Sequence, residues 1–171
     1  MSRSEIVDLL DAIPSGRFLL TSRFGELRSA ALVRWVQQCA VHPPMIVVAI
    51  EKGQAMSPII RDSRNFALCR VMDDDPLIDR IFQALPDHGR DPFLGLPHLT
   101  TPSMSPVPTR ALWWMDCELI RNLDIESDHE MYIAGIHHAG RLNHDRVATR
   151  SAVRSRLSKA GVKRPLKTRS R

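Results

Sequence analysis

Lys52, Gly53, Ser57 and Pro58 fall close together in EKGQAMSPIIRDS. That stretch joins a cation, a glycine and a Ser-Pro pair opening an apolar helix. The spacing puts Ser57 at the N-cap and Pro58 at the first helical position. A helix N-terminus offers unpaired backbone N–H groups and a partial positive charge, and Lys52 adds a full charge beside it, which is the chemistry of a phosphate site. The same pair also serves as a plain helix cap, and local rules leave both readings open. A second polar group interrupts an apolar run: Arg34, Trp35 and Gln37 in LVRWVQQ. A third is Asp128-His129, either a functional pair or a turn histidine satisfied by its neighbour. His42, His137 and His138 have no fixed spacing to cysteine or aspartate, so no metal site is assigned. Cys39, Cys69 and Cys117 are odd in number without a CxxC, which points to buried, reduced thiols.

The elements that must position these residues follow from periodicity. Ile6, Leu9, Leu10 and Ile13 share one face of an N-terminal helix that Pro14-Ser15-Gly16 stops. RFLLTSR and a segment from about Leu27 to Gln37 flank Phe24-Gly25-Glu26 as a hairpin. MIVVAI, residues 45–50, reads as a central buried strand, and NFALCRV, residues 65–71, as another. Leu77, Ile78, Ile81, Phe82 and Leu85 form a helical core stripe after Asp75-Pro76. Residues 86–108 hold half of the chain's prolines and read as a long irregular excursion. ALWWMDCELIRNLDI and HEMYIAGIHHAGRL make a second hairpin around Glu126-Ser127-Asp128. Without a βαβ alternation or glycine fingerprint, this is a mainly β chain: an antiparallel barrel of roughly six strands with peripheral helices.

Length and charge bound the organisation. The 171 residues amount to about one domain plus a tail. No apolar run approaches the roughly 20 residues of a membrane span, and MSRSEIVDLLDAIPSGR is not a signal peptide, so a cytoplasmic protein is expected. From Gly140 to Arg171 there are eleven Lys or Arg and one acid, which leaves the preceding 139 residues at net −5. The expected division is therefore a domain over 1–139 and a basic C-terminal extension, partly helical or disordered, over 140–171. Such a tail is either a solvated extension or an arm for nucleic acid or an anionic surface.

Taken in order, TSRFGELRSAALVRWVQQCAVHPPMIVVAIEKGQAMSPIIRDSRNFAL resembles the core of the flavin reductase-like, FMN-binding split-barrel family. DPFLGLP resembles that family's Phe-x-Gly loop, MDCELI its Glu/Asp-Cys strand, and SDHEMYIAGIHHAG its Asp-His strand. The likeness covers about Phe18 to Gly140. It implies a six-stranded split barrel binding FMN, or FAD, at a homodimer interface. Carried over by residue, Leu32, Val33, Arg34, Trp35, Val36 and Gln37 would line the flavin ring, with Arg34 and Trp35 the side chains best placed to reach it. Lys52, Gln54, Ala55 and Ser57 would hold the phosphate, and Ala55 stands where many members carry a hydroxyl.

The implied activity is that of an NAD(P)H-dependent flavin reductase, an oxidoreductase passing hydride to flavin N5. The reduced flavin would go to oxygen or to a partner monooxygenase. The flavin carries the chemistry, so the protein needs few reacting groups, and His129 is the candidate on the nicotinamide side. Two other classes remain open: a flavin-binding protein that stores or senses FMN, and a split-barrel interaction module without cofactor.

Overall fold

The computed structural model describes residues 3–83 and 91–142. Leu85, the start of the proline-rich excursion and the basic tail beyond residue 142 lie outside the described residues. An N-terminal helix, α1 (Arg3–Asp11), precedes a hairpin of β1 (Phe18–Phe24) and β2 (Leu27–Val33). Phe24 pairs directly with Leu27, and Gly25 takes φ 58°, the left-handed turn conformation that a residue with a Cβ adopts only at a cost. There follow β3 (Val36–Ala40), β4 (Met45–Glu51), α2 (Met56–Ser63), β5 (Asn65–Arg70) and α3 (Pro76–Phe82). Two short strands, β6 (His98–Thr100) and β7 (Pro106–Pro108), lead to the long pair β8 (Trp113–Asp124) and β9 (His129–Arg141).

One antiparallel sheet runs in the order β2-β1-β5-β8-β9-β4-β3. It has seven strands and not six because the segment expected as one strand from Leu27 to Gln37 breaks at Arg34-Trp35. Those two residues turn the chain from one edge of the sheet to the other. Gly16 N donates to Arg34 O at 3.3 Å and Ala49 N to Trp35 O at 3.0 Å, so the backbone at the corner stays paired as the sheet curls into an open barrel.

Alternation along the strands builds two cores. Leu20, Ala31, Phe66, Leu68, Leu119 and Tyr132 point inward with Met56 and Ile60 of α2. Their neighbours Leu19, Ala30, Ala67 and Cys69 face the other way, beneath Ile78 and Phe82 of α3 and Phe93. Strands β1, β2 and β5 are thus buried on both faces over their central residues, which explains the apolar runs 18–20, 30–33 and 66–69 within them. MIVVAI is flanked by strands on both sides, but only Ile46, Val48 and Ile50 are fully buried. The apolar stripe expected of the N-terminal helix is also unlike a core face: α1 ends before Ile13, and Leu9, Leu10 and Ile13 are about 60% exposed.

The described part of the proline-rich excursion is more regular than its composition suggests. β6 and β7 pair from His98↔Pro108 to Thr100↔Pro106, and a two-stranded edge tolerates proline because its outer N–H is not needed. Thr21 Oγ1 donates to Pro106 O at 2.6 Å, and Asp116 accepts from Ser103 N at 3.0 Å, fastening the loop to the barrel. Cys69 and Cys117 are buried as expected, but Cys39 is exposed because β3 is an edge strand. Among the described residues no helix is long and apolar enough to cross a membrane.

Candidate functional site

The turn after β4 positions the first part of the site. Gly53 takes φ 83°, which reverses the chain after Lys52 and leads it into α2. That helix is not capped by Ser57, as the sequence suggested. Ala55 occupies the N-cap in αR conformation with no side-chain cap bond, so Ser57 and Pro58 are the second and third helical residues. Proline costs nothing there, since the N–H groups of the first turn have no helical acceptor in any case. The outcome is a helix start without a side-chain cap, where Ser57 N donates back to Gln54 O at 3.1 Å, beside a pocket of about 410 Å³ lined by Lys52, Gln54, Ala55, Ser57, Arg61, Asp124 and Glu130 among others. Among the described residues Ser57 Oγ, buried at this pocket, makes no hydrogen bond of good geometry, although it lies beside Glu130 and Tyr132.

A second cleft, of about 240 Å³, adjoins the first and shares Gln54 with it. Leu32, Val33, Arg34 and Trp35 border it together with Ala49, Glu51 and His129. The expected ring-lining stretch is therefore divided. Val36 packs on the inner core and Gln37 is exposed on β3, and neither borders the cleft. Arg34 is exposed at the corner and also borders a wider cleft of about 1040 Å³ with Arg17 and Arg70. His129 stacks on Trp35 with ring centroids 4.7 Å apart, and its Nδ1 lies 2.9 Å from Asp128 Oδ1. The bond to Asp128 and the place at the cleft, offered as alternatives by the sequence, hold together.

The charges around the first pocket are paired. Lys52 Nζ meets Asp124 Oδ1 at 2.5 Å, and Arg61 lies 3.6 Å from the nearly buried Glu130 carboxylate. Burial pushes the Glu130 carboxyl up, but hydrogen bonds from Asn122 at 3.0 Å and Tyr132 at 2.7 Å, with nearby Ser57 and Arg61, outweigh it and hold Glu130 below the usual range. Burial and the same carboxylate push the Tyr132 hydroxyl up to about 12. Among the described residues no three His, Cys, Asp or Glu side chains cluster as a metal site.

An open antiparallel barrel with paired clefts at its corner narrows the possible relatives, and sequence comparison decides among them. The family model described as Flavin reductase like domain matches residues 10–154. The chain belongs to that family. A diflavin flavoprotein from Synechocystis is 28% identical over 129 residues, which cover 74% of this chain but 22% of the relative. The flavin reductase-like domain thus spans about a fifth of that curated relative's length. Among solved structures, the Streptomyces globisporus NADH:FAD oxidoreductase superposes with a TM-score of 0.72 at 18% identity, covering 82% of this chain and 83% of that one. The flavin reductase component of a bacterial two-component tryptophan halogenase gives 0.68 at 21%, with 85% and 89% covered. These likenesses show the fold.

Arg61, Asp124 and Glu130 of this flavin reductase-like domain were not singled out from the sequence. A signal for Glu130 was present. In HEMYIAG, Glu130, Tyr132 and Ala134 share a strand face, so an acid stands where the period-two pattern calls for burial. His129 lies on the opposite face, which is why adjacent residues reach different clefts.

Proposed function

We propose that this protein is a flavin reductase that oxidises NAD(P)H and hands reduced flavin to oxygen or a partner oxygenase. The observation that carries the reading is that two neighbouring clefts share Gln54 in their linings. A cleft with Trp35 and His129 on its rim lies beside a pocket at the start of α2, which suits a flat ring joined by a short chain to a phosphate.

The residues present fit such a group, FMN or FAD. Ser57 Oγ, which makes no hydrogen bond among the described residues, and the partial positive charge at the start of α2 suit a phosphate oxygen. Bound flavin supplies the hydride-accepting centre. The chain supplies position and charge. Trp35 and His129 stand on the rim of the cleft, Asp128 fixes the His129 ring, and Arg34 places a cation at the open corner. Such a fixed positive charge favours an electron-rich ring over a neutral one. We further propose that two copies pair, which would cover the exposed apolar residues of α1.

The test is anaerobic. Purified protein mixed with FMN or FAD is treated with NADH and then NADPH while the visible flavin absorption is followed. Bleaching by either nucleotide, faster than in free flavin, is the expected result. Flavin that binds but is never bleached by either nucleotide would rule out the reductase reading.

A further inference from the structure

The phosphate pocket carries as much negative side-chain charge as positive. Lys52 and Arg61 are its two cations, Asp124 and Glu130 its two anions, and each cation is engaged by one carboxylate. The positive charge that remains uncommitted is the partial charge at the start of α2, about half an elementary charge. A phosphomonoester such as that of FMN carries roughly −1.5 to −2 at neutral pH. Each phosphate of a dinucleotide has one ester and one anhydride linkage and carries one negative charge. To meet the monoester's second charge, Arg61 or Lys52 would have to leave its carboxylate. For Arg61 that would strand Glu130, whose side chain is only 8% exposed.

We propose that Glu130, assisted by Asp124, is a specificity determinant that turns this pocket toward the singly charged phosphate of a flavin dinucleotide and away from the doubly charged monoester of FMN. The inference rests on the flavin reading above and deepens it. Glu130 is built into its place. Asn122 and Tyr132 donate to its two oxygens from β8 and β9, and Ser57 approaches from α2. Its charge therefore cannot swing away when a ligand arrives. Ser57 keeps a hydroxyl for a phosphate oxygen, so the pocket still accepts phosphate while limiting its charge.

The test is equilibrium titration of the full chain with riboflavin, FMN and FAD, followed by flavin fluorescence, for the wild type, Glu130→Gln and Asp124→Asn. Glutamine keeps the size of the side chain and removes the charge, freeing Arg61. The expected result is a rise of about tenfold in the ratio of FMN to FAD affinity in Glu130→Gln, a smaller rise in Asp124→Asn, and riboflavin affinity unchanged. Asp124 is exposed, so its variant still reads the charge effect if Glu130→Gln fails to fold. Equal shifts for FMN and FAD, or no shift, in the folded variants would overturn the inference while leaving the flavin reading intact. Failure of riboflavin, FMN and FAD alike to bind the wild type would remove both.

Discussion

Trp35 and His129 meet at a tilt at the edge of the smaller cleft, their ring centroids 4.7 Å apart and their planes at 44°, although they are 94 positions apart in sequence. Trp35 is 57% exposed and bears little of the barrel's packing, so its aromatic surface is available to a ligand. Trp35→Ala should leave thermal stability within about 0.5 kcal/mol, as an exposed substitution does. It should weaken flavin binding by about tenfold, comparable to the loss of one aromatic stacking partner. Fluorescence titration beside a melting curve separates the two effects, and a large loss of stability with normal flavin affinity would contradict the assignment.

His129 is predicted to act through position. His129→Asn keeps a polar group near Asp128 but loses the ring against Trp35. A positioning role predicts a raised KM for the nicotinamide nucleotide with a smaller change in kcat, whereas loss of a reacting group would fall mainly on kcat. Steady-state kinetics of the variant with NADH and NADPH makes the distinction.

Gly53, on the rim of the pocket at the start of α2, tests the backbone of the loop. A Cβ there meets nothing within 4 Å, so alanine would cost only the backbone preference at φ 83°, about 1–2 kcal/mol. If the loop relaxes to relieve that cost, Lys52 and Gln54 shift on either side of it. Gly53→Ala should therefore lose phosphate-bearing flavins more than riboflavin. Equal losses for all three would place the effect elsewhere.

Much of the fold was legible because the strands carry their own punctuation. Gly25 marks the first hairpin, and Asp75-Pro76 marks the start of α3, where Asp75 does accept from the N–H groups of Leu77 and Ile78. What the sequence concealed depends on long-range geometry. Arg34-Trp35 reads as mid-strand because no glycine or proline marks the corner, and the break follows from the sheet's two edges having to share one chain. Ser57-Pro58 has the composition of a cap, yet Ala55 is already helical, so the register of α2 lies two residues earlier than that signature implies. Glu130 stands out of the period-two pattern, but its partners do not, since Asn122, Tyr132 and Arg61 reach it from three elements.

Thiol chemistry separates the three cysteines. Cys69 and Cys117 are buried; desolvation drives the Cys69 thiol far up and Cys117 to about 12, so neither forms thiolate near neutrality. Cys39 is exposed on β3. One thiol per chain should react with an aromatic disulfide reagent at pH 8 in the native protein, and all three in denaturant. Cys39→Ser should abolish the native reaction, and rapid labelling of a second thiol would show that the barrel opens.

Asp75 predicts the acid limb of stability. Its carboxylate is almost fully buried, accepts from Leu77 N at 3.0 Å and Ile78 N at 3.3 Å, and receives Arg110 Nε at 2.8 Å. Burial raises its pKa, but the hydrogen bonds from Arg110 and the helix start more than offset that and hold it below the ordinary aspartate value. A carboxyl depressed in the folded state stabilises fully above the unfolded pKa and loses that stabilisation as pH falls through the folded one. The melting temperature should therefore owe nothing to Asp75 titration between neutrality and about pH 5, and decline below about pH 4. Asp75→Ala removes the cap and the partner of Arg110 and should cost about 1–2 kcal/mol at pH 7, with a shallower acid decline. Asp75→Asn keeps a capping oxygen and should cost less. Parallel acid limbs for wild type and Asp75→Ala would show that other carboxylates govern the transition.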